Sequence, residues 1–166
     1  MDPYQHTEVD TEQSSEQFAG HARGMQIVGG ALVVGCLPLT AMMIFLKGIS
    51  GEIYEGAGLA TWLGIGFGCL TLVGSFVVPS VVGRRQGDSI EAWCVVFRGK
   101  TTAGMALCEG GAFMNSIMYL LDGQLISLGM VVLLMLRLVM QIPTAGGLQS
   151  WVGDRMRSVE QGFEQA

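Results

Sequence analysis

The chain has 166 residues, enough for one domain; half of them are hydrophobic and only 14% carry charge, too few charges to cover the surface of a soluble domain of this size. The mean hydropathy is +0.47. The net charge of −5 comes from an acidic N-terminus, where Asp2, Glu8, Asp10, Glu12 and Glu16 meet no Lys or Arg before Arg23. No basic stripe is present to neutralise phosphates, which argues against a nucleic-acid partner.

In chain order, residues 1–15 read as an acidic, disordered tail, too polar to bury a core and lacking the basic start of a signal peptide. Four apolar stretches of about the length needed to cross a bilayer follow, at Met25–Leu46, Ala57–Val82, Thr102–Leu121 and Gln124–Pro143. The third and fourth meet at Asp122-Gly123, a turn short enough to require an antiparallel hairpin. About ten residues join the first two, which predicts a second antiparallel hairpin. Residues 89–101 read as an extension of the third helix, with Asp88 or Ser89 as N-cap and Ile90, Trp93 and Phe97 at helical spacing. After Pro143, residues 147–166 form an amphipathic helix and tail. Its apolar stripe, Leu148, Trp151, Val152, Met156, Val159 and Phe163, predicts a helix lying in the membrane interface. The expected fold is therefore all-α: a polytopic bundle of four spans in two hairpins with a C-terminal interfacial helix.

Positive charge orients this arrangement. Arg23, Arg84, Arg85, Arg98, Lys100, Arg155 and Arg157 fall on one side of the spans and only Lys47 on the other. By the positive-inside rule both termini face the cytoplasm, as expected for a multi-pass protein of a bacterial inner membrane. Tyr54, Trp62 and Tyr119 near the outer boundary and Trp151 near the inner one agree.

The 25 glycines follow no three-residue period and belong to helix packing, where small residues let backbones approach. Gly64 and Gly68 lie on a small-residue stripe of the second span with Thr61, Thr71 and Ser75. Gly104 and Gly111 line an edge of the third with Cys108 and Asn115. The Gly64–Gly68 run lacks the Lys-Ser/Thr of a phosphate loop. Arg23–Gly35 and Arg98–Gly110 share several residues at an offset of 75, consistent with an internal duplication of the hairpin.

Glu109 is the first functional candidate, a carboxylate inside the third span. Arg137, the one basic residue inside a span, lies at similar depth on the next helix, counted from the Asp122-Gly123 turn. Two readings follow: Glu109 binds a proton or cation during transport, or it pairs with Arg137 and only fixes packing. Asn115 and Ser116 read as hydrogen-bond donors between helices. The cysteines Cys36, Cys69, Cys94 and Cys108 have no metal-site spacing, and His6 and His21 lie near the N-terminus. No cofactor, metal site or enzyme is expected.

Two family resemblances attach to these residues. Ala106–Phe113, then Tyr119-Leu-Leu and the Pro-Thr after the fourth span, resemble a pattern in uncharacterised bacterial four-helix membrane proteins; this implies no activity. Four spans, a GxGxG run and one buried carboxylate are similar to the proteolipid (c-type) subunit of rotary ATPases. That family, however, carries its glycines on the first helix of a hairpin and its carboxylate on the second, the reverse of Gly64–Gly68 and Glu109. The expected role is a structural or interaction component, with the bilayer and either a second copy or another membrane protein as partner. The alternative is a proton- or cation-coupled translocator using Glu109.

Overall fold

The structure, a computed structural model, describes residues 4–50, 58–82, 90–164, without side chains at 4–17, 82, 90, 156 and 158–164. The described residues form five α-helices and no strand: α1 (Tyr4–Ser50), α2 (Leu59–Val82), α3 (Ile90–Asp122), α4 (Leu125–Met140) and α5 (Ala145–Glu164). Two helical stretches are long and apolar enough to cross a membrane, Phe18–Ser50 and Leu59–Val81; α4 and the start of α5, bent by 67° at their junction, would make a third if counted as one span. The expected four spans are thus matched by length and composition at two or three. The expected N-cap at Asp88 or Ser89, Arg84, Arg85 and Tyr54 lie outside the described residues.

α1 runs from Tyr4 and so includes most of the acidic segment at residues 1–15.

α3 is the axis of the molecule. It packs on every other helix, whereas among the described residues no Cα of α1 comes within 8 Å of one in α2. Among the described residues the close packing expected between α1 and α2 is therefore absent, and α3 packs antiparallel on both α2 and α4. Small residues decide this. α2 turns its stripe of Thr61, Gly64, Gly68, Thr71 and Ser75, all buried, onto α3 and α4, which leaves nothing equivalent for α1. A Cβ at Gly64 would lie 3.0 Å from Asn115 Oδ1, one at Gly68 2.9 Å from Asn115 Nδ2, and one at Gly104 2.8 Å from Gln141 Oε1. Glycine lets α2 and α4 come this near to α3. The two halves proposed as a duplication consequently pack differently.

At one end α5 folds back. Leu148 and Val152 are buried in a cluster with Phe18, Ala22 and Met25 of α1 and Trp93 and Cys94 of α3, and Phe97 and Trp151 pack against it. Trp151 meets Trp93 edge-on at 5.9 Å and Phe97 at 5.1 Å. This part of the apolar stripe, expected to lie on the membrane interface, covers protein. Gln26 Nε2 of α1 also donates to the Pro143 carbonyl at 3.1 Å, fixing the α4–α5 junction.

The opposite end is held by a carboxylate. Asp122, the last residue of α3, accepts from the Thr61 backbone N–H at 2.8 Å and from its hydroxyl at 2.9 Å. The first amides of a helix have no partner in their own helix, so α2 takes its cap from α3. Lys47 of α1 is buried beside this point, its Nζ donating to the Leu121 carbonyl at 3.4 Å. Its stem lies over Gly123, whose φ of +72° makes the turn into α4.

Candidate functional site

Glu109 and Arg137 are both half-buried, and no ion pair joins them among the described residues. Similar depth on neighbouring helices is necessary for a pair, but rotation about the axes decides it, and here rotation separates them. Cys108 faces α2 and α4, close enough to Ser75 and Arg137 to feel both. Glu109, about 100° further round α3, lies on the same side as Ser116, which meets Thr40 of α1. Arg137 is instead held by α2: its Nε donates to Ser75 Oγ at 3.4 Å, and its guanidinium stacks over the Phe76 ring at 3.8 Å. The expected pairing therefore gives way to a cation–π contact and a long hydrogen bond. Removing Glu109 and Arg137 together (Glu109→Gln with Arg137→Gln) should cost the sum of the single losses, within about 0.5 kcal/mol, as for independent sites. Unfolding midpoints of the four proteins in neutral detergent check this; a double variant as stable as the parent would restore the pair.

The other candidates divide by direction. Ser116 meets Thr40 Oγ1 of α1 at 3.0 Å and also donates to Ala112 O of its own helix. Asn115 bonds within α3, Nδ2 to the Gly111 carbonyl at 2.9 Å, while its Oδ1 has no partner among the described residues. Ser127 Oγ and Gln141 Oε1 are orphaned in the same way. Gly64, Gly68, Gly104 and Gly111 all sit at close helix contacts.

Sequence reasoning did not single out Thr40, and it read Thr61 only as part of a packing stripe and Lys47 only as a charge marking orientation. Asp122 was visible only as a turn residue. A carboxylate at such a turn faces the start of whichever helix packs there, and that neighbour is not written in local spacing.

A pocket of 160 Å³ opens where α2, α3 and α4 meet near α5, lined by Ser75, Phe76, Lys100, Thr101, Arg137 and Gln141 among others. Lys100 Nζ lies 4.0 Å over the Trp151 ring and 4.8 Å over that of Phe97. Burial holds the Lys100 ammonium below the usual lysine range, and the nearby charge of Arg155 adds to the effect. Among the described residues no group of three or more His, Cys, Asp or Glu is placed to hold a metal ion. Set beside known protein families, curated proteins and solved structures, the chain matches none.

Proposed function

We propose that α1, α2, the 102–121 segment of α3 and α4 all cross a bilayer, with both chain ends on the cytoplasmic side, and that the protein is a non-catalytic assembly component. In this reading it is a bacterial inner-membrane protein that associates sideways with another membrane helix. Four spans are supported by the company α3 keeps. Its polar residues are turned largely toward other helices, and it runs beside α1 and α2 from the Lys47–Thr61 end to the Met25–Ser75 end. In a bilayer crossed by α1 and α2, it would lie within the same layer. The Ala106–Phe113 pattern, read as resembling four-helix bacterial membrane proteins, would imply the same arrangement.

The observation that carries the assembly role is the open face of α1. Gly24, Ala31, Gly35 and Pro38 fall on one side of this helix and all are exposed. A Cβ added at Gly24 or Gly35 would meet nothing within 4 Å. Lipid gives no reason to place small residues outward, whereas a second helix does. Pro38 strengthens the point, since it has no N–H to offer the Val34 carbonyl on that face, and a bare carbonyl in hydrocarbon is unfavourable. Cysteines introduced at Ala31 or Gly35 should cross-link in native membranes to a second copy or a partner chain, and one at Phe67, exposed on α2, should not. Equal yields at all three positions would sink this role.

A second reading is favoured by Glu109, to which nothing donates a hydrogen bond among the described residues. As a proton site resembling that of the proteolipids, it would react with a hydrophobic carbodiimide at low pH, and Glu109→Gln would abolish the labelling. An unlabelled Glu109 across the pH range removes this reading.

A further inference from the structure

We infer that the pocket between α2, α3 and α4 binds a phosphate group, supplied by the headgroup of an anionic phospholipid. The choice of lipid as the source rests on the bilayer reading above; the anion site rests on the pocket alone. Lys100 and Arg137 both line the cavity, no carboxylate lines it, and neither cation has an ion pair among the described residues. The aromatic rings beside Lys100 and Arg137 offset only part of the cost of drawing two cations partly out of water at one recess without an anion. A phosphate offsets both, taking the planar fork of arginine and the point charge of lysine. Ser75 and Thr101 add hydroxyls at the wall.

Place and surroundings choose the source. Lys100 precedes Asp122 by 22 residues of continuous helix, roughly 33 Å at the rise of an α-helix, and a hydrocarbon core is about 30 Å thick. Lys100 thus stands where headgroups begin if Asp122 marks the other boundary. Arg137 lies deeper and is drawn against Ser75 and Phe76, in the manner of a snorkelling side chain. Phe76, which lines the pocket, is 56% exposed, and Val77 beside it in sequence is 51% exposed. A cationic recess beside open apolar surface fits an amphiphile better than a free ion. Basic recesses between membrane helices on the cytoplasmic side recognise anionic lipids by this chemistry.

The test is the unfolding midpoint of the full chain in neutral detergent, titrated separately with phosphatidylglycerol, phosphatidylcholine and inorganic phosphate. Phosphatidylglycerol should raise the midpoint saturably and phosphatidylcholine should do so more weakly. Lys100→Gln and Arg137→Gln should each weaken the phosphatidylglycerol effect roughly fivefold, Arg137→Lys less, and the exposed Arg157→Gln not at all. Should Arg137→Gln fail to fold, Lys100→Gln and Arg137→Lys decide. If inorganic phosphate acts as strongly as the lipid, the site stands and its source is a free anion. If no probe raises the midpoint, or the pocket variants respond as the parent does, the proposal is overturned. Alkaline extraction from native membranes judges the bilayer reading separately, so its failure leaves the phosphate arm able to decide the pocket.

Discussion

Gly111→Val should be among the most disruptive single substitutions in the chain, lowering stability by roughly 2–3 kcal/mol through overpacking. A Cβ at Gly111 would run into the Thr71 hydroxyl of α2 and lie 2.9 Å from Leu134 Cδ1 of α4. Neither neighbour can step aside readily. Thr71 is pinned by its hydrogen bond to the Gly68 carbonyl at 3.0 Å, and Leu134 is fully buried. Opening one contact loosens the other, because both helices press on the same turn of α3. The control is one residue away: a Cβ at Gly110 meets nothing within 4 Å. Gly110→Ala should leave stability unchanged or raise it by up to about 1 kcal/mol, since Ala is the better helix former. Denaturation in mixed micelles reads both, and equal losses at 110 and 111 would contradict the packing described.

Asp122→Ala is expected to cost roughly 2–3 kcal/mol, because two hydrogen bonds to a charged acceptor are lost and the α2 N-terminus loses a nearby negative charge. Asp122→Asn keeps an acceptor and should cost about half as much. Thr61→Val removes only the hydroxyl bond, so its loss should shrink in the Asp122→Ala background, the signature of a shared contact. Additive losses across that cycle would mean that the carboxylate acts elsewhere.

Much of the helical content was legible because it depends on short-range pattern. The α3 extension through Trp93 and Phe97, the turn at Asp122-Gly123 and the break at Pro143 all follow from spacing and breaker residues. The small-residue stripe of α2 was legible as a packing face for the same reason. What spacing did not carry was which helix meets that face. Apolar residues surround these helices, so hydrophobic periodicity sets no rotation, and Glu109 and Arg137 could be matched in depth but not in azimuth. The Leu148–Val152 stripe shows the same limit from the other side. An amphipathic face declares that it will be covered, and α1 and α3 cover it here where lipid was expected.

The separation of α1 from α2 bears on how the chain is made. A ribosome delivers these two helices first, yet among the described residues their backbones make no close approach, so each finds its main packing partner only later in the chain. α2 waits for α3, because the carboxylate that caps its first turn is some sixty residues further along the chain. Until α3 is complete, α2 keeps unpartnered amides at one end and an unfilled glycine face along its length. Packing of α2 should therefore await the third helix, and a nascent chain paused before Asp122 is expected to leave this cap and glycine face uncovered.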